Sequence, residues 1–402
     1  MIVRAMYLCL AVIYLISIDA LSGIGLGQVS LSGALSLAIP YLGAILIPIG
    51  VFRALRRGRS VLGGGGPAAA ILLFALLAAV SAAASPFEEA VQNAAVYLIF
   101  ATTVIIGFLF WDDRQAEGSL LSLRWAALVS AILAFVSLAL GAGVYGVRSI
   151  GALGLVYLAI LLPFRGSNVL LRFGPLIVAL ILLLSLSRTA LVIGVVSLLF
   201  LVLRSAPRRR LAQLLTAIPV MVAAGYWLLF EYAPVRDRFL TGDAAFALGG
   251  LQINTSGRVT LWTTTIDSAM ESLLTGKGAG SSSALLNGMF NISHPHNDYL
   301  RIFHDFGAPG LVLFVLALGW MIARLWRAAR RSDSAVHWSA FIALTTSAAL
   351  AITDNVFVYS FVMFPVGLLV GMSLASAVDE HSPFKRTAAI VDSRHALVRR
   401  QR

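Results

Sequence analysis

Apolar positions run almost unbroken along most of this chain, and polar interruptions divide them into about twelve stretches. Each is long enough to cross a hydrocarbon core of roughly 30 Å. In order they are Arg4–Leu21, Gly33–Phe52, Ala68–Ala84, Ala90–Trp111, Leu120–Leu140, Val147–Phe164, Leu170–Leu184, Thr189–Leu203, Leu211–Phe230, Gly307–Ala323, Trp338–Thr353 and Phe357–Ala377. Leu170–Leu184 and Thr189–Leu203 could be joined into one helix, but at about 1.5 Å per residue it would reach on the order of 50 Å, too long even when tilted. Ser185-Leu186-Ser187-Arg188 supplies the polar break. Strands of a β-barrel would instead alternate over segments of about ten residues. The expected fold class is therefore an all-α polytopic membrane protein. Arg4 ahead of Ala5–Ile18 imitates a signal peptide, but a second apolar segment follows at once, so an uncleaved first span is expected.

One long polar stretch, Glu231 to Phe306, breaks this pattern. It divides the chain into residues 1–230 with nine spans, a loop 231–306, residues 307–377 with three spans, and a loosely ordered tail 378–402. Within the loop, Ser256-Gly257-Arg258 opens an amphipathic run to Leu274. Val259, Trp262, Ile266, Ala269 or Met270, and Leu273 recur at helical spacing, predicting a surface helix with Ser256 as N-cap and Gly276 as its stop. The loop closes on His294-Pro295-His296-Asn297-Asp298-Tyr299-Leu300-Arg301, where Asn297 or Asp298 can cap a helix toward Phe306. Gly63–Gly66 reads as a flexible connection.

Composition agrees with the pattern: 59% of residues are hydrophobic and 12% charged, with a mean hydropathy of +0.90. The net charge of +12 does not imply nucleic acid, because the arginines gather in short loops between apolar runs. With the N-terminus inside, all but seven of the 30 basic residues fall on the inner side or in the tail. The twelve-span arrangement with both termini cytoplasmic thus obeys the positive-inside rule. The seven exceptions are Arg148, Arg188, Arg236, Arg238, Arg258, Lys277 and Arg301, on the same outer face as the polar loop. Cys9 is the single cysteine, which excludes an intramolecular disulfide.

Three of the outer residues could carry chemistry. Arg188 opens a span at the outer end of a tight hairpin, either snorkelling to the interface or aiming a planar guanidinium at a phosphate. Arg258 near a helix N-terminus is unfavourable against the helix dipole unless an anion joins it. His296, on a loop held by Pro295, can take a proton from a hydroxyl near neutral pH. A zinc site from His294, His296 and His304 lacks a clear ligand geometry, and no metal or cofactor is expected. Gly276 to Ser283 lacks the order of a phosphate loop and has no preceding strand, so a nucleotide site is rejected. A transporter or flippase would place its polar residues near the midplane; here they lie at the outer ends.

Taken in order, Ser187-Arg188 in its hairpin, Gly257-Arg258 followed by Trp262, Gly276–Gly280, His296-Asn297 with Tyr299-Leu300, and Gly307-Ala308-Pro309-Gly310-Leu311 resemble the O-antigen ligase and polymerase superfamily of bacterial envelope glycosyltransferases. The resemblance covers roughly Leu170 to Phe314, and the rest by helix count and topology. It implies a GT-C-like bundle in the bacterial inner membrane with a large periplasmic loop. It also implies metal-independent, inverting transfer of a glycan from undecaprenyl diphosphate to an acceptor hydroxyl. Arg188, Arg258 and His296 would be catalytic, with His294 as the alternative imidazole and the two arginines binding the diphosphate. Arg301, Asn297, Tyr299 and Lys277 complete the expected substrate-binding set. The acceptor is a lipid A-core sugar for a ligase or a second lipid-linked glycan for a polymerase, and ligase is the slightly better reading.

Overall fold

In a computed structural model the chain is helical, as a protein of bilayer-spanning helices must be, because hydrocarbon offers backbone groups no partner outside the helix. The structure describes residues 1–21, 25–26, 29–56, 61–141, 147–164, 166–185, 187–205, 227, 231, 246–248, 251–253, 255 and 257–380. Thirteen helices occur among them: α1 (Ile2–Leu21), α2 (Leu31–Arg56), α3 (Val61–Ala83), α4 (Glu88–Phe110), α5 (Asp113–Ala139), α6 (Val147–Leu161), α7 (Val169–Leu184), α8 (Arg188–Ser205), α9 (Arg258–Met270), α10 (Ser281–Phe290), α11 (Asp298–Ser332), α12 (Ala335–Leu350) and α13 (Ser360–Glu380). Two short antiparallel ribbons accompany them, β1 (Gly25–Leu26) with β2 (Val29–Ser30) and β3 (Phe246–Leu248) with β4 (Leu251–Ile253); the sequence pattern did not anticipate them.

Six of the described helices are long and apolar enough to cross a membrane, and five shorter apolar helices accompany them. This is the architecture of a polytopic membrane protein. The predicted break between α7 and α8 is present, with α7 ending at Leu184 and α8 beginning at Arg188. The expected span Leu211–Phe230, the N-cap Ser256 and the tail beyond residue 380 lie outside the described residues. Gly63–Gly66 is not a connection: α3 starts at Val61 and runs through all four glycines. In an apolar setting the helix is how those backbone groups are satisfied, and this outweighs glycine's entropic preference for coil.

The centre of the bundle is the α4–α13 pair. Of the most apolar window of each helix, 83% and 89% is buried, against 22% for α2 at the periphery. With lipid as apolar as leucine, close van der Waals approach has to hold such helices together, and small residues allow it. A Cβ added to Gly371 would lie 2.3 Å from the Val104 carbonyl oxygen and 2.8 Å from the Gly107 Cα. Beside this pair an aromatic cluster fills the space beneath the outer loops. Phe74 packs on Tyr97 and Phe314 at 5.1 and 4.9 Å between ring centroids, and Phe314 meets Phe357 edge-on at 5.0 Å.

α11 is two helical pieces with a break at Gly307 (φ 68°, ψ −176°). Before the break lies the segment that follows His296; after it the chain enters the bundle. The break docks against the turn after α9: Lys277 N donates to His304 O and Gly278 N to Asp305 O, both at 3.0 Å, and Ala308 N donates to Leu273 O at 2.7 Å. A side chain at Gly276 would lie 2.5 Å from the Asp305 carbonyl oxygen, so these two backbones meet only because Gly276 and Gly307 both lack one.

Gly371→Val should destabilise the bundle by about 1–3 kcal/mol or more, because backbone on α4 cannot move aside for the added methyls. A lowered unfolding midpoint in detergent, with unchanged expression of the inserted protein, is the expected measurement.

Candidate active site

The loop between α10 and α11 carries His296 in the left-handed region, φ 52°, a conformation uncommon for a residue with a Cβ and concentrated at functional sites. Neighbours on both sides hold it there. Pro295 is buried and its carbonyl accepts from Trp262 Nε1 at 2.9 Å. Asn297 Oδ1 accepts from Leu300 N at 3.0 Å, capping α11 as the sequence suggested.

Trp262 stands one turn after Arg258 on α9, so its bond to Pro295 brings that helix N-terminus beside the histidine loop. Arg258 is half-buried and follows Gly257, itself at φ 76°. On the other side, His296 Nδ1 lies 3.1 Å from Asn355 Nδ2 and 3.6 Å from Asp354 Oδ1, in the turn between α12 and α13. The preceding Thr353 donates from Oγ1 to Thr189 Oγ1 at 2.8 Å. Thr189 follows Arg188, the half-buried first residue of α8. A continuous path of contacts therefore runs from the first turn of α9 through Trp262, Pro295, His296, Asp354–Asn355 and Thr353 to the first turn of α8. That path links the first turns of α8 and α9 to the loop that carries His296.

The remaining predicted residues have other occupations. Arg301 is fully buried and points inward: Nη2 lies 2.8 Å from Asp298 Oδ1 and donates to Tyr97 Oη at 2.8 Å, and Nη1 donates to Asn93 Oδ1 at 3.4 Å. It is a buried ion pair, not a surface cation. Tyr299 donates its hydroxyl to Ala348 O at 2.8 Å, with its ring against Phe314. Lys277 Nζ pairs with Glu271 Oε2 at 2.6 Å and donates to Ser268 Oγ at 2.9 Å, at the far end of α9 from Arg258. That bond, with the charge behind it, holds the Glu271 carboxyl below its ordinary range.

A second polar network fixes the loop. Asp305 accepts from Gly280 N and Ser282 N at 3.0 and 2.9 Å, capping α10, and from Ser281 Oγ at 3.1 Å. His304 sits between Ser268 Oγ and Ser281 Oγ, 3.0 Å from each, joining α9, α10 and α11. The amphipathic reading of α9 is corrected here. Its buried face is Leu261, Thr265 and Ala269, while Ile266 and Met270 of the expected apolar stripe face outward. Small residues at 265 and 269 let α9 lie close on α11, and that decides the packed face more than hydrophobicity does.

An O-antigen ligase family model matches residues 173–315. Over those residues the chain is similar to O-antigen ligases. That matched segment runs from α7 into the second piece of α11 and contains Arg188, Arg258 and His296. The likeness supports a glycosyltransferase-like enzyme embedded in a membrane. Comparison with curated proteins returned no match. Asp354 and Asn355 fall outside the ligase-like segment, and the sequence reading passed over them: a lone Asp-Asn between two apolar spans looks like any turn. Asp298 was noticed only as a possible cap, although its spacing from Arg301 puts a carboxylate and a guanidinium on one helix face.

His294 differs from His296. It lies near Ser283, with Nδ1 3.4 Å from Oγ. Burial, helped by the Arg301 and His296 charges, pushes its pKa down from 6.5 to about 4. The imidazole is thus neutral across the physiological range.

Two predictions follow from this geometry. Arg301→Met leaves Asp298 buried without its counter-charge and should cost about 3–5 kcal/mol in a melting experiment, while adding Asp298→Asn should recover part of the loss. Because native His294 refuses a proton that the unfolded chain accepts, it lowers stability progressively as pH falls from about 6.5 to about 4. His294→Gln should flatten the pH dependence of the unfolding midpoint in that window and leave it unchanged above it.

Proposed function

We propose that this protein transfers a glycan from undecaprenyl diphosphate to a sugar hydroxyl of lipid A-core at the periplasmic face of the bacterial inner membrane. The reading carries with it a GT-C-like bundle of about twelve spans with both termini cytoplasmic. In it the periplasmic loop spans residues 231–306 between membrane blocks 1–230 and 307–377, and 378–402 is a cytoplasmic tail. The observation behind it is the unbroken path of contacts from the first turn of α8 to the first turn of α9 through His296.

The chemistry is a single displacement. The acceptor hydroxyl oxygen attacks the anomeric carbon from the side opposite the diphosphate, the bond to the diphosphate oxygen breaks, and the configuration inverts. Charge gathers on the leaving diphosphate. Arg188 and Arg258 meet it with planar forks of donors, each at the first residue of a helix, where the helix dipole also favours an anion. Fixed donors of this kind stabilise the transition state more than the ground state. No metal takes part in the proposed step.

His296 takes the acceptor's proton. The Asp354 carboxylate at 3.6 Å favours a proton on Nδ1, leaving the lone pair on Nε2 as the base. Asn355 fits this tautomer when its amide is turned over: Oδ1, buried with no partner, then accepts from Nδ1–H, and an amide's oxygen and nitrogen exchange places without other change. Arg301 leaves the substrate-facing set in this mechanism. With Asp298 it positions the loop, and Asn297 and Tyr299 do the same through the cap and the Ala348 bond. Lys277 braces α9.

In a purified system with lipid-linked glycan and core lipid, His296→Ala, Arg188→Ala and Arg258→Ala should each lower transfer by about a hundredfold or more without loss of the inserted protein. Chelators should leave the rate unchanged. Full activity of the Arg188→Ala/Arg258→Ala double variant would end the diphosphate assignment. In a deletion strain, bare core with lipid-linked polymer accumulating marks a lost ligase, whereas single-unit chains on core mark a lost polymerase and move the acceptor assignment to a second lipid-linked glycan.

A further inference from the structure

At the other end of the bundle, a 16-residue helix away from His296 and thus about 24 Å along α12, lies a partly open cavity of about 570 Å³. Its charged lining residues are Glu117 and Arg124 on α5, Arg204 at the end of α8, and Asp333 before α12. Two of the four satisfy each other: Arg204 Nη2 is ion-paired with Asp333 Oδ1, and the Arg204 guanidinium lies flat 3.8 Å over the Trp338 ring. Trp338 Nε1 also donates to Asp333 Oδ1, at 3.1 Å.

Arg124 is different. Only 8% of it is exposed, yet its hydrogen bonds among the described residues go to backbone carbonyls: Nε donates to Ile160 O at 3.3 Å and Nη2 to Pro163 O at 3.5 Å. Phe164 lies against it at 5.0 Å. Two long bonds to neutral acceptors leave the guanidinium without a hydrogen-bonded anion among the described residues, and Glu117 is the carboxylate whose charge acts on it. Burying a guanidinium this way is unfavourable without an anion. Glu117 stands two turns earlier on α5, exposed at the rim of the same cavity. The open charges are therefore one deep cation and one shallow anion, with apolar walls between. Leu121, 46% exposed, lines the cavity and also faces out of the bundle.

We propose that this cavity holds the headgroup of a zwitterionic phospholipid of the ethanolamine class, its phosphate on Arg124 and its ammonium on Glu117, with the acyl chains leaving past Leu121. Charge order selects the class. A phosphate with an uncharged glycerol headgroup would satisfy Arg124 and leave Glu117 facing it, whereas an ethanolamine headgroup meets both. Guanidinium suits the phosphate through paired donors, and basic pockets between membrane helices are recurrent lipid-headgroup sites. The site is independent of the glycan-transfer reading, since none of its residues lies near His296.

The test uses the full-length protein, stripped of lipid in detergent and returned to nanodiscs holding equal parts of phosphatidylethanolamine and phosphatidylglycerol with identical chains. Native mass spectrometry reads which lipid is retained. The wild type should keep the ethanolamine lipid about tenfold over the glycerol lipid, and Arg124→Gln should lose retention of both. Glu117→Gln changes an exposed residue, so it folds whatever becomes of Arg124→Gln, and it should bring the preference to about one. Equal retention by the wild type, or an unchanged preference in Glu117→Gln, would overturn the proposal. So would thermal stabilisation by glycerophosphoethanolamine alone equal to that by the lipid, which would make the ligand a soluble phosphate ester.

Discussion

The Asp298–Arg301 pair is the constraint on which the histidine-loop end of the molecule depends. Both side chains are fully buried, 2.8 Å apart, and each also grips another part of the chain. Arg301 reaches Tyr97 and Asn93 on α4. Asp298 Oδ2 accepts from Phe357 N at 2.7 Å, and Asp298 N donates to Ala351 O at 2.9 Å. The last two bonds bracket residues 352–356, which contain Asp354 and Asn355. One ion pair therefore fixes the distance between the histidine loop and the carboxylate beside its ring. A buried pair of this kind gains little net stability; its effect is on position.

Around that pair the structure repeats a single device, in which polar groups at membrane-helix ends are satisfied by one another. Asp305 caps α10, His304 bridges two serines, and Gly276 and Gly307 let two backbones exchange hydrogen bonds where side chains would collide. The resulting platform braces the loop that carries His296. Arg188 and Arg258 each begin a helix, so their placement follows from helix packing and not from loop conformation, and sites on such elements are held more precisely than sites on loops.

Much of this was legible beforehand, for physical reasons that can be named. Span length against bilayer thickness forced the break before Arg188, and the fold has it. Asn297 as a cap was readable because polar residues are rare in such a chain. What failed had a common cause, since topology tells which face of the membrane a residue reaches but not whether its side chain turns outward. Arg301 falls in the long polar stretch of the sequence and is buried in fact. Of the expected stripe Ala269 is buried, whereas Ile266 and Met270 face outward and the smaller Thr265 takes the packed face beside it. Asp354 was invisible because its importance exists only in three dimensions, 58 residues beyond the histidine it adjoins.

That separation has a consequence for how the protein is made. A chain threaded into the bilayer from its N-terminus acquires Arg188, Arg258 and His296 well before the α12–α13 hairpin arrives. Until then Asp298 has neither Ala351 nor Phe357 to hold, and His296 has no carboxylate at its ring. The surroundings of His296 are thus completed last during biosynthesis, and a chain cut short of the final hairpin leaves Asp298 and His296 without these partners.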